Sequence, residues 1–205
     1  DYVSTTATIN GSLFDRDDSV VCTVTPWDDE GAGEAVSSES VTVGNTAPSI
    51  TAVTVEPATD VTEDSTLVCT PEGWSDEDDD APGYVYAWTA ADTELGSEST
   101  LDSDAFSKGD SVVCWVTPTD GTDSGTPVAS SNTVTVGNTA PEITSVSINP
   151  GSGTEATTFS CDPAGWSDID PADTTPGYTW AWTVNAAASV TTQTIDGTDF
   201  DSGDV

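Results

Sequence analysis

The stretch LVCTPEGWSDEDDDAPGYVYAWTA, Leu67 to Ala90, decides the fold. It begins and ends on short runs in which apolar residues take every second position: Leu67 and Cys69, then Tyr84, Tyr86 and Trp88. A turn rich in Gly, Pro, Ser and acidic residues separates the two runs. Period-two alternation with this punctuation predicts antiparallel strands that bury one face. Much of the stretch recurs, since LVCTPEGWSD ending at Asp76 returns 92 residues later as FSCDPAGWSD ending at Asp168. SVVC at Ser19 to Cys22 returns at Ser111 to Cys114 with the same offset, and VTVGNTAP at Val41 to Pro48 returns at Val134 to Pro141, offset by 93.

A period of that length is one domain long. With the boundary at GNTAP, residues 1–44 read as the C-terminal part of one repeat, 45–137 as a complete repeat and 138–205 as the N-terminal part of a third. Within 45–137 the runs ITAVTVEP, STLVCTP, YVYAWTA, SVVCWVTP and SNTVTV predict five strands, with weaker ones between Thr93 and Phe106. No segment has a helical period. The expected fold is all-β, a tandem of antiparallel β-sandwiches with one complete domain flanked by two partial ones.

The order Cys69, Trp88, Cys114 matches the immunoglobulin-like sandwich, in which a bridge joins the two sheets and a Trp packs on it. That register turns Val112, Cys114 and Val116 inward with Leu67, Cys69, Tyr84, Tyr86 and Trp88, and Trp182 is the core counterpart of Trp88 in the third repeat. A Cys69–Cys114 bridge would close a loop of 45 residues and stabilise by roughly 4 kcal/mol on the chain-entropy account. The alternative is buried free thiols. Cys22 corresponds to Cys114 and Cys161 to Cys69, so each of these has its expected partner outside this stretch of chain. Either the array continues, or the front part of one molecule is completed by the back part of another, head to tail, in a linear filament.

The NTAP linkers, the Asp-rich turn before a YxYxW strand and the later VVCxVTPxDG segment resemble the immunoglobulin-like or PKD-like tandem repeats of large bacterial surface proteins, of the myxobacterial type. The resemblance implies a stalk, spacer or adhesin outside the cell or on its surface. The PKD pattern continues into a WDFGDG-like segment, where this chain has YAWTAADT and WAWTVNAA, which favours the immunoglobulin-like label.

Charge narrows the function further. The chain carries 37 acidic and two basic side chains, Arg16 and Lys108, for a formal charge of -35. Nucleic acid and anionic membranes require a basic footprint, so neither is an expected partner. Such a composition also occurs in disordered chains, but the 35% of hydrophobic residues recur here in regular short runs. No run of about 18 apolar residues predicts a membrane span. With no Met and no leader-like segment, the chain reads as mature or excised material. Four cysteines in this setting suggest an oxidising compartment.

The densest carboxylate cluster is GWSDEDDDAPG, with Asp76, Asp78 and Asp80 at alternate positions; its counterpart GWSDIDPADTTPG carries Asp168, Asp170 and Asp173. Carboxylates so spaced in a turn can converge on a hard cation that takes six to eight oxygens, which makes structural calcium the expected cofactor. The loop is not an EF-hand, because Gly and Glu are missing from the required places. In this sandwich the turn after Cys114, with Asp120 and Asp123, lies at the same end as the acidic loop and the incoming linker with Asn45 or Asn138. Calcium there would stiffen the joint between repeats. The competing reading is that the aspartates solvate a loop and discourage aggregation, and adaptation to high salt enriches aspartate in the same way.

Trp74 and Trp166 precede the acidic loops and read as lids on the core end, whereas strand parity turns Trp115 outward as a candidate contact surface for glycan or protein. No histidine is present, and no GxSxG elbow or phosphate-binding Gly loop accompanies the acidic residues, so an enzyme is not expected. Asn10-Gly11-Ser12 matches a glycosylation sequon that reads as chance. The expected function is a structural extracellular segment whose partners are neighbouring repeats or copies of itself. The alternatives are a glycan- or surface-binding module and an accessory region of a secreted hydrolase.

Overall fold

The computed structural model describes residues 4–170, 173–184, 187–188 and 190–199. The chain is all-β, with antiparallel pairing throughout the described ladders and, among the described residues, two single-turn 3-10 segments, Gly11–Leu13 and Ser103–Ala105.

Residues 50–136 form a two-layer sandwich. One layer has three strands in the order Ala52–Glu56, Leu67–Glu72, Thr100–Leu101. In the other, Ser111–Thr119 is flanked on one side by Gly83–Ala90 and then Thr93–Gly96, and on its other side by both Val128–Ala129 and Val134–Thr135. The central pairing of that layer puts Cys114 opposite Trp88 and Val116 opposite Tyr86. Alternation decides what is buried: Leu67 and Cys69 face inward while Val68 and Thr70 face out, and Val112, Cys114 and Val116 are fully covered. Tyr84 and Tyr86 are half-buried against the same core.

The core is a continuous cluster around Trp88 that includes Val53, Val55, Val61, Leu67, Leu101, Phe106, Val134 and Val136. The Cys69–Cys114 disulfide crosses it, linking the two layers with 6.3 Å between Cα atoms. Burying an indole N–H is costly unless it is paired, and Trp88 Nε1 donates to the Glu98 carbonyl at 2.8 Å. Asn132 ties the layers at another point: Val55 N donates to its Oδ1 at 3.0 Å, and its Nδ2 donates to Val55 O at 2.8 Å.

The flanking segments reproduce parts of this unit in the same register. Ser19–Val20 pairs with Val41–Thr42, and Thr23–Val24 with Val36–Ser37, as Ser111–Val112 and Trp115–Val116 pair with their partners in the central unit. Ser145–Asn149 pairs with Phe159–Ala164 as Ala52–Glu56 pairs with Leu67–Glu72, and Trp182, buried like Trp88, donates its Nε1 to Thr192 O. Among the described residues the first segment has no counterpart of the three-stranded layer and the third has only the Thr183–Val184/Ala187–Ala188 pair of the other layer, so apolar faces are left open. Val55 is 0% exposed but its counterpart Ile148 is 55%, and Val116 is 0% but Val24 is 62%. Cys22 is exposed and Cys161 half-buried, and neither is bridged.

The SNTVTV run carries its expected strand at Val134–Thr135, and a further short strand, Val128–Ala129, precedes the run in the same ladder. Asn132, between the two, spends its side chain on Val55.

Candidate functional site at the junctions

Each acidic loop leaves its strand through a glycine in the left-handed region, Gly73 at φ +68° and Gly165 at φ +67°. A Cβ at Gly73 would lie 2.0 Å from Thr51 Oγ1, and one at Gly165 the same distance from Thr144 Oγ1, so only glycine lets the turn press against the preceding strand. The loop then folds on its own carboxylates. Asp78 N and Asp80 N both donate to Asp76 Oδ1, at 2.8 and 3.4 Å, and Asp170 N donates to Asp168 Oδ1 at 2.9 Å. Asp79 itself adopts φ +57°.

The incoming linker docks on this loop identically in the two places. Thr46 N donates to Asp78 Oδ2 at 2.7 Å, and Thr139 N to Asp170 Oδ2 at 3.0 Å. At the first junction Asn45 Nδ2 also donates to Asp120 Oδ2 at 2.8 Å and Asp123 Oδ2 at 3.0 Å, which brings in the turn after the Cys114 strand. That amide, helped by backbone N–H groups, holds the Asp120 carboxyl below its ordinary range.

The only two basic side chains of the chain complete these junctions. Arg16 donates from Nη1 to Asn45 Oδ1 and to Asp80 Oδ2, and from Nη2 to Asp80 Oδ1 at 3.2 Å, with Asp78 Oδ2 at 3.9 Å. Lys108 donates to Asn138 Oδ1 and, at 2.6 Å, to Asp173 Oδ2, with Asp170 Oδ2 at 3.5 Å. Hydrogen bonding to Asp80 holds the Arg16 guanidinium charged above its ordinary value, and hydrogen bonding to Asp173 raises the Lys108 ammonium in the same sense. Residues 16 and 108 are one repeat apart, as are their linkers. The pairing of two lone cations with equivalent positions is the signal in the sequence from which these residues could have been picked out.

The carboxylates gather into two groups whose oxygens lie within 4.8 Å of one another: Asp76, Asp80 and Asp120, and Asp168, Asp170 and Asp173. Asp78 and Asp123, expected to join the first group, instead receive the linker through Thr46 and Asn45. Both groups have the donor type for a hard divalent cation. Asp76 Oδ2 at the first, and Asp170 Oδ1 at the second, are buried with no hydrogen-bond partner among the described residues. Residues 171 and 172, within the second loop, lie outside the described residues.

Trp74 covers the core end and meets Tyr84 edge-on at 5.7 Å between ring centroids. Trp115, 42% exposed, stands on the outer face of the five-stranded layer near exposed Val85. Among the described residues no helix is long and apolar enough to cross a membrane. Comparison with protein-family models and with curated proteins returns no match in either.

Proposed function

We propose that this chain is a structural segment of an extracellular array of immunoglobulin-like repeats, in which successive disulfide-braced sandwiches are held end to end at a fixed angle. The observation that carries the reading is the recurrence of one clasp at two junctions: a basic residue, a linker Asn and Thr, and the Asp-rich loop that follows. A linker with only two or three such residues between domains restricts their relative motion when both flanks are bonded to it. Calcium at the two carboxylate groups stiffens the clasp further, since a chain of this charge gains from every bound cation. The Cys69–Cys114 bridge supports an oxidising, extracellular location.

Small-angle scattering of the whole chain tests this reading. With calcium the profile should fit one rigid arrangement, and with chelator it should require a spread of interdomain angles. A profile that needs such a spread in both conditions would overturn the reading.

Two further readings rest on particular observations. The open apolar faces around Val24 and Ile148, with unbridged Cys22 and Cys161, favour completion of the flanking units by neighbouring repeats or by other copies, joined head to tail in a filament. Non-reducing gels that show a ladder collapsing with reductant would mark the second source. The exposed Trp115 favours a glycan or surface contact, which carbohydrate-induced shifts in its indole resonance would reveal. An accessory role in a secreted hydrolase has no observation of its own.

A further inference from the structure

Glu63 stands apart from the loops described above. It belongs to the turn between the Ala52–Glu56 and Leu67–Glu72 strands, on the near side of the second linker, yet its carboxyl meets Asp170 on the far side. Its backbone N–H donates to Thr139 Oγ1 at 3.2 Å, and Gly137 N donates to Val61 O at 2.7 Å, so the linker is fastened over it. Glu63 is only 4% exposed and Asp170 only 1%. Glu63 Oε2 and Asp170 Oδ1 are both buried without a hydrogen-bond partner among the described residues.

Two carboxyls in contact, each with an unpaired buried oxygen, are strongly unfavourable unless something positive lies between them. Lys108 does not fill that role for both, because its ammonium reaches Asp170 Oδ2 and Asp173 Oδ2 and leaves the other two oxygens bare. Glu63 meets Asp170, whose oxygens lie within 4.8 Å of those of Asp168 and Asp173, and the one ammonium beside them pairs with Asp170 and Asp173 alone. A divalent cation of calcium's size accepts such a set and fills its remaining sites with water and carbonyl oxygens. The competing occupant is a proton shared by Glu63 and Asp170. That contact with Asp170, reinforced by burial, raises the Glu63 carboxyl above its ordinary value, while the Lys108 backbone N–H and the Ser107 hydroxyl oppose the rise.

We infer that Glu63 is a ligand of a divalent-cation site shared between two successive units, completed by Asp168, Asp170 and Asp173, so that the cation is held in full only when the two units are docked. This deepens the calcium-stiffened junction proposed above and rests on it. Because the ion binds the docked arrangement, docking and ion uptake reinforce each other by mass action.

The test is a calcium titration of the whole chain by calorimetry, with terbium luminescence sensitised by the nearby tryptophans as a second readout. Glu63→Gln keeps the shape and removes the charge. It should weaken one class of site by at least tenfold and leave the other unchanged, while Asp76→Asn should do the converse. Calcium binding by the parent chain that Glu63→Gln leaves unaltered would overturn the inference alone and point to the shared proton. Absence of calcium and terbium binding by the parent chain at millimolar concentrations would overturn the calcium reading of both junctions. Should Glu63→Gln lose the cooperative melting of the parent chain in chelator, Glu63→Asp is the substitute; it retains the charge on a shorter stem and should weaken the same site, with unchanged affinity again overturning the inference.

Discussion

Arg16 and Lys108, one repeat apart, each bond the asparagine of the linker that follows and an aspartate of the loop beyond it: Asn45 and Asp80 in one case, Asn138 and Asp173 in the other. In a chain with 37 acidic residues, the two basic ones occupy equivalent positions at successive joints. Their side chains are about one-third exposed, at 32% and 35%, so water screens the pairs. Geometry, more than stability, is what they can govern.

The double variant Arg16→Met, Lys108→Met should therefore leave the melting midpoint of the central sandwich within about 2 °C while it increases motion between units. Residual dipolar couplings measured for each unit check this: order tensors that agree in the parent chain should diverge in the variant. Raising the salt concentration should produce a weaker form of the same change, because the Debye length falls from about 10 Å at 0.1 M to about 3 Å at 1 M.

Alkaline pH should separate the two junctions. Asp173 and its neighbours raise the Lys108 ammonium above its ordinary value, so its contribution is fully present below the unfolded-state value and is lost as pH rises through the higher folded-state one. Arg16 stays charged throughout. Motion at the second junction should increase above about pH 10.5, while the first stays fixed, and Lys108→Arg should remove the step.

Within the central unit the largest losses should follow damage to the sulfur bridge and the indole beside it. Replacing Cys69 and Cys114 together by Ser opens a cross-link with a sequence separation of 45, and a loss of about 2–5 kcal/mol is expected in urea unfolding. Trp88→Ala removes a fully buried ring and should cost about 3–5 kcal/mol. The corresponding Trp182→Ala should cost less, because its unit leaves neighbouring apolar side chains such as Val146 and Ile148 more than half exposed.

Asn132→Ala should destabilise by about 1–3 kcal/mol, the cost of leaving the buried Val55 N–H and C=O without partners. Hydrogen exchange provides the check: the Val55 amide should lose most of its protection while that of Cys69, which donates to Ser99 O, keeps its own.

The legible part of this protein was the part governed by local period. Alternation around Cys69, Trp88 and Cys114 carries the inward face, the layer pairing and the bridge, because each depends on strand parity and one known arrangement. The short strand Val128–Ala129 ahead of SNTVTV, and the anchoring of the stretch between them, were not legible. The anchoring depends on Asn132 meeting Val55, a contact across 77 positions that no pattern in SNTVTV encodes. The junctions were half legible. Carboxylate spacing pointed to the loops, yet the linker N–H of Thr46 turns Asp78 away from its neighbours, and Asp120 arrives from a distant turn to join Asp76 and Asp80. Arg16 and Lys108 look like stray charges until the 92-residue offset is applied to them, and Glu63 has no local signal at all, since Thr139 and Asp170, which it meets, lie beyond the linker.

Distance measurement between spin labels on the two native unbridged cysteines, Cys22 and Cys161, reaches across both junctions at once. A single narrow distribution is expected in calcium at low salt, broadening severalfold in the Arg16→Met, Lys108→Met variant with chelator. A broad distribution in the parent chain with calcium, or a narrow one indifferent to both treatments, would contradict the calcium-stiffened clasp at the junctions.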